Sequence, residues 1–227
     1  MKVGVLLSGS GVYDGSEIQE SVFSLLAIAE LGGESLCFAP DVNQAHVVNH
    51  LSGEEMSETR NVLVESARIA RGDIEDIVNI SSTDFDVLVI PGGFGTAKNH
   101  TTWAVNGPDA DINPEVKRLI IETVKSKTPI VALCMAPTTV AIALGEMGVS
   151  AYLTVGSTKE RSPYDIATIS KGLEATGASV KFCSVKEVCI DRELKIVSAP
   201  CYMMDSTVLE VRGNVKMAVQ EAFSMLD

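Results

Sequence analysis

Cys134 stands in the stretch IVALCMAPTTVAIAL, where an apolar run gives way to a helical pattern. A residue on a strand-to-helix turn is pushed out at the top of a sheet, as in the nucleophile elbow of hydrolases. The free N–H groups and positive dipole end of the following helix would favour a thiolate there. The plain alternative is a small buried hydrophobe among Val, Ala and Leu. Cys37, Cys183, Cys189 and Cys201 read as structural: one lies inside a strand, two in short late segments, one after Pro200.

A second candidate is the turn Pro91-Gly92-Gly93-Phe94-Gly95 behind the apolar run DVLVI. Glycines let the backbone approach a ligand, and the N–H groups of Gly92, Gly93 and Gly95 could hold an oxyanion. The first turn, Gly9 to Gly15, approximates a dinucleotide fingerprint with one residue too many before its last glycine, with Asp41 as a possible ribose acid. Behind it come two carboxylates, Glu17 and Glu20, at a helix start where acids are common for dipole reasons alone. The three histidines, His46, His50 and His100, all precede Cys134. A Cys–His dyad of adjacent residues is therefore ruled out, and His100 is the one placed to approach in space.

These residues need a frame. Lys2–Ser8, Ser35–Ala39, Asp86–Ile90 and Pro129–Leu133 read as buried strands. Helices are expected from near Ser16, over 57–71 with Ser57 as cap, from Pro114, over Pro137–Met147, near 165–176 and from about 206. Residues 96–113 read as a long polar loop, and further short strands fall near 150–155, 180–183 and 194–199. Strands alternating with helices predict an α/β fold with a mostly parallel sheet covered on both faces, its site outside the carboxyl ends of the strands. The Pro91–Gly95 turn and Cys134 both fall there. With no repeat or linker, residues 1–227 read as one domain.

Composition narrows the function. The net charge of -12 disfavours nucleic acid and anionic membranes, which call for a basic face. No apolar stretch approaches the roughly 18 residues that span a bilayer. The short run Val3 to Leu7 is too brief for a signal peptide. Five cysteines without a C-x-x-C pair argue against a disulfide framework or a zinc site, so the cytoplasm is the expected compartment.

The segments SGSGVYDGSEIQE, VLVIPGGFGTAKN and ALCMAPT, in that order, resemble the PfpI/ThiJ superfamily of the class I glutamine amidotransferase-like fold. The stretch NHLSGEEMSETRNVLVESARIARG is similar to its ElbB-like branch, the enhancing lycopene (isoprenoid) biosynthesis proteins with an amidotransferase-like domain. The resemblance implies a flavodoxin-like three-layer sandwich, a reactive Cys134, and a Glu from the first helix on its sulfur, Glu20 with Glu17 as fallback. Gly93 and Met135 would then form the oxyanion site. It also implies a weak glyoxalase without cofactor or metal, acting on a small 2-oxoaldehyde, with deglycase activity as an extension and a homodimer as the assembly. Glutamine hydrolysis is disfavoured, because amidotransferases place a His late in the chain and none follows Cys134. The competing expectation is a non-enzymatic redox sensor or binding protein built on the same thiol.

Overall fold

The computed structural model describes residues 1–226. In chain order the elements are β1 (Lys2–Leu6), α1 (Ile18–Glu30), β2 (Glu34–Ala39), α2 (Val62–Ile69), β3 (Glu75–Asp76), β4 (Val87–Ile90), α3 (Trp103–Asn106) and α4 (Pro114–Lys125). They continue with β5 (Ile130–Leu133), α5 (Ala136–Gly145), β6 (Tyr152–Leu153), α6 (Ile166–Ala175), β7 (Ser179–Val180), β8 (Cys189–Asp191), β9 (Ile196–Ala199) and α7 (Val208–Phe223).

Seven strands form one sheet in the order β3-β2-β1-β4-β5-β9-β8. All its pairings are parallel except β8 on β9. The central strands carry the continuous apolar runs that burial on both faces demands; β4, β5 and β9 are buried at every position. From β1 the chain steps outward through α1 and α2, then reverses and steps the other way through β4 and β5. Right-handed crossovers therefore put the helices of the two directions on opposite faces. Helix α7 returns to pack on α1, while α4 packs on α5. The fold is α/β and flavodoxin-like, with helices flanking a mostly parallel sheet. Its strand order reverses between β1 and β4, which places the crevice at the ends of β1, β4 and β5.

Four features depart from the pattern in the sequence. The second helix starts at Val62, capped by Asn61, whose Oδ1 accepts from Val64 N at 3.0 Å. Ser57 is not its cap, because the backbone before it runs extended against 42–48: Met56 N donates to Val47 O, and Gln44 N to Arg60 O. Residues 96–113 are not an irregular loop but a π-helical turn (Thr96–His100), α3 and a 3-10 turn. Their polar groups close on one another and on β1, so a polar composition is compatible with buried structure here. The strands near 150–155 and 180–183 are two residues each and pair only with one another, as β6 and β7, outside the main sheet. The edge strands β3 and β8 carry too few residues to show a period.

Candidate functional site

Cys134 follows β5 and its amide donates to Ala199 O of the neighbouring β9 at 2.8 Å. The carbonyl ladder thus continues one residue past the strand and then turns. The turn puts Cys134 at φ 57, in the left-handed region that non-glycine residues occupy at a cost of roughly 1–3 kcal/mol. Pro137 in the first turn of α5 suits a helix that must begin at once. The residue is only 4% exposed, so the sulfur lies just beneath the surface.

Glu20 comes to it from α1. Glu17 is the N-cap of that helix, and its Oε2 accepts from Glu20 N at 2.6 Å. That fixes the first turn and points Glu20 inward, where it is wholly buried. Two backbone amides meet its carboxyl group. Gly92 N donates to Oε2 at 3.0 Å, and Tyr202 N donates to Oε1 at 3.2 Å. The Cys134 side chain is a further hydrogen-bond partner. Three strand ends therefore converge on one acid: the turn after β4 through Gly92, the turn after β5 through Cys134, and the segment after β9 through Tyr202.

Closeness here depends on missing side chains. A Cβ on Gly92 would sit 2.3 Å from Cys134 Cβ and 2.6 Å from Glu20 Oε2. At Gly93, with φ +98, it would lie 2.4 Å from both Glu17 N and Gly15 O.

Burial pushes the Glu20 carboxyl up to about 8, helped by the Glu17 charge and opposed by the amides of Tyr202 and Gly92 and by Cys134. The Cys134 thiol is pushed well above the ordinary range, first by burial and then by the Glu20 charge. The amides of Gly93 and Met135 pull the other way. The expectation of an acidified thiol is corrected on this point: the helix-start N–H groups are present, but desolvation beside an acid outweighs them. As pH rises Glu20 loses its proton first, and the thiol stays protonated as a donor to the carboxylate.

The structure brings Cys134, Glu20, Gly92, Gly93, Met135 and Glu17 into one neighbourhood, with distinct parts. Gly93 and Met135 direct their N–H groups at the sulfur. The Gly92 N–H is engaged by Glu20 and the Gly95 N–H by Gly15 O at 2.9 Å, so neither is free for an oxyanion. Glu17 is half-buried and caps α1; its own carboxyl group is raised by burial.

His100 does not serve the sulfur. It is fully buried, with Nε2 at 3.0 Å from Leu7 O, and burial lowers it to about 4, so it is neutral at physiological pH. His50 Nε2 accepts the Tyr13 amide at 3.1 Å and lies 3.8 Å from Asp14, away from the sulfur. The Gly9–Gly15 turn spends its amides on the protein: Gly9 N on Ser66 Oγ, Gly11 N on Ser16 O, Gly15 N on Gly11 O. It is no phosphate cradle, and Asp41 accepts from Asn61 Nδ2 instead. Among the described residues no group of three His, Cys, Asp or Glu could hold a metal ion.

Sequence reading missed Tyr202, Tyr164 and Cys201. Tyr164 lies beside the pair; burial and the Cys134 and Glu20 charges push its phenol to about 12. Cys201 is fully buried under Cys134, also in left-handed backbone at φ 46, with its amide held by Asn214 Oδ1 at 3.0 Å. The available signal was Pro200 at the end of an apolar run, another carboxyl strand end.

The sheet order, the left-handed cysteine after β5 and the acid from α1 define a class, and solved structures share its fold. Drosophila melanogaster DJ-1beta superposes with a TM-score of 0.53 at 15% identity, covering 99% of this chain and 94% of its own. A far nearer match is an isoprenoid biosynthesis protein with an amidotransferase-like domain from Ehrlichia chaffeensis, with a TM-score of 0.90 and 32% identity over the whole of both chains. Among curated proteins, the human glutamine amidotransferase-like class 1 domain-containing protein 3, mitochondrial, is 38% identical over 99% of this chain and 83% of its own. The ES1 protein homolog, mitochondrial, of Rattus norvegicus is 38% identical over 99% of this chain and 84% of its own. No protein-family model matches. The chain belongs to the glutamine amidotransferase-like class 1 domain family of the ES1 homologues, within the DJ-1/ThiJ/PfpI fold.

Proposed function

We propose that the protein is a slow, cofactor-independent glyoxalase that converts glyoxal, a small 2-oxoaldehyde, to glycolate on Cys134. The observation that carries this reading is the pairing of the Cys134 thiol with Glu20, an acid whose proton is lost near pH 8. In the reactive state Glu20 is a carboxylate and Cys134 a thiol. As the sulfur bonds to one aldehyde carbon, Glu20 takes the thiol proton and passes it to the former carbonyl oxygen, giving a neutral hemithioacetal. Glu20 then removes the hydrogen of that carbon as a proton and returns it to the neighbouring carbon through an enediol. The product is a thioester of glycolate, isomeric with the adduct, so no oxidant is consumed. Water cleaves the thioester and restores the thiol. The Gly93 and Met135 amides steady the negative charge on oxygen during the carbonyl steps.

Two measurements test this. With glyoxal as substrate, Cys134→Ala is expected to reduce glycolate formation to the uncatalysed background; equal rates in the two proteins remove Cys134 from the chemistry. The wild-type rate is expected to climb with pH and level off above about 8, because the active base is the ionised Glu20. At pH 7 about a tenth of Glu20 is ionised. A rate that falls with pH over 6–9 would falsify the role of Glu20 as base.

No histidine among the described residues bonds the sulfur, which favours low turnover and gives weight to a second reading, a thiol sensor on the same residue. Mild peroxide followed by intact mass then adds oxygen to Cys134 ahead of the other four cysteines, and indiscriminate oxidation counts against it. The ElbB-like assignment, a part in isoprenoid biosynthesis, deglycase activity and a homodimer belong to this proposal; the Ehrlichia relative's name supports the isoprenoid link. All five cysteines are free and buried, as suits a reducing compartment. We place the chain in the cytoplasm, though curated relatives carry mitochondrial names. No helix among the described residues is long and apolar enough to cross a membrane.

A further inference from the structure

A cavity of about 310 Å³ is lined by residues that neighbour the Cys134–Glu20 pair. Its wall includes Glu17 and Tyr202, which both hydrogen-bond Glu20, and Tyr164, which lies beside the pair. Tyr13, Asp205 and Ser206 close the opposite side. Three tyrosines and two acids thus line one space, and no Lys, Arg or His does. The nearby cations lie outside this lining. Lys98 donates to the Tyr13 backbone carbonyl at 2.9 Å and lies 5.4 Å from the Phe94 ring centre, while Arg161 and Lys186 line a neighbouring cleft on the far side of Asp205 and Ser206. Ser206 Oγ is shielded from solvent and has no hydrogen-bond partner in the protein.

We propose that this cavity is the entrance to the sulfur and selects carbonyl compounds carrying an ammonium group over anionic ones. The choice follows from the lining. Aromatic faces attract a cation through their quadrupole, most strongly once it is desolvated. Glu17 and Asp205 supply opposite charge. An anion entering the same space meets two acids and no positive partner in its lining, so like-charge repulsion goes unopposed there. The net charge of -12 adds a field of the same sign at long range. The inference rests on the reading of Cys134 as the reacting group, and it adds which charge the entrance favours among carbonyl compounds beyond the neutral glyoxal.

The test uses methanethiosulfonates of equal reach bearing a trimethylammonium, a hydroxyl or a sulfonate group. Each transfers its alkylthio group to a cysteine sulfur and releases methanesulfinate. Labelling of Cys134 is followed by peptide mass, and each rate is divided by that of the same reagent with free cysteine. In the wild type the ammonium reagent is expected to exceed the sulfonate by at least about tenfold, the lower end of electrostatic focusing in a charged cleft. Glu17→Gln, which keeps an acceptor oxygen for the α1 cap, and Asp205→Asn are each expected to cut that ratio severalfold. A wild-type ratio at or below one, or a ratio unchanged in both variants, overturns the proposal. Should none of the reagents label Cys134, the nucleophile reading fails by itself. Ligand-observed NMR with tetramethylammonium, against acetate at matched ionic strength, then decides the cavity. Binding of the ammonium ion that weakens in both variants sustains the cation site, and absence of binding overturns it.

Discussion

Glu20→Gln is expected to abolish glyoxal turnover and, in the same protein, to flatten the pH dependence of stability between about pH 4.5 and 8. Burial holds the wild-type carboxyl group at about 8 in the fold, against the ordinary 4.5 of a solvated glutamate. Its folded-state affinity for the proton is therefore raised. Stability linked to that proton is fully present below about pH 4.5 and is lost as pH climbs through about 8. The difference amounts to roughly 5 kcal/mol by pH 9. Glutamine has no proton to lose, so its curve lacks this slope, even though its amide nitrogen must face either the Gly92 or the Tyr202 N–H. Denaturant midpoints of both proteins from pH 4 to 9 give the comparison. Parallel curves would mean that Glu20 ionises at its ordinary value despite its burial.

Gly92→Ala is expected to be among the most damaging single-methyl additions in the molecule. The new Cβ would meet Cys134 Cβ at 2.3 Å, Glu20 Oε2 at 2.6 Å and the Leu133 carbonyl at 2.9 Å. Cys134 Cβ and the Leu133 carbonyl are fixed by the backbone, with β4 and β5 paired in register and Ile90 opposite Ala132, while Glu20 Oε2 is a side-chain end held by the Gly92 and Tyr202 amides. Relief requires the turn to lift away from the sheet, breaking the Gly92–Glu20 hydrogen bond. Overpacking of this kind costs about 1–3 kcal/mol, and a lost bond to a buried acid about 1.5–3 more. A fall in stability of about 3 kcal/mol or more is expected from urea unfolding, with loss of turnover even where the variant folds. A change under about 1 kcal/mol would show that the turn is softer than its contacts imply.

Both variants probe one arrangement. The sulfur sits in a left-handed turn over an acid that is itself buried, and the acid gives up its proton before the thiol does. Most of the strain and desolvation in the site is therefore carried by the folded scaffold before a substrate arrives. On the proposed reading such a site would react through proton transfer between neighbours rather than through a standing thiolate, and a modest rate at neutral pH is expected.

Certain features followed from local sequence because local physics decides them. The runs VLVI and IVAL are apolar at every position, as a strand buried on both faces must be. Pro114 and Pro137 fall in the first turn of their helices, where a missing N–H costs nothing. The turn at Cys134 was visible as the abrupt join of such a run to a helix. What the tertiary structure decided was everything that depends on distant strands meeting. Glu20 and Tyr202 are 182 positions apart, and their hydrogen bond exists because β9 lies beside β5. The fate of the Gly92 amide, the neutrality of His100 and the order in which Glu20 and Cys134 lose their protons follow from burial. Burial is a property of the assembled layers, and no window of residues contains it.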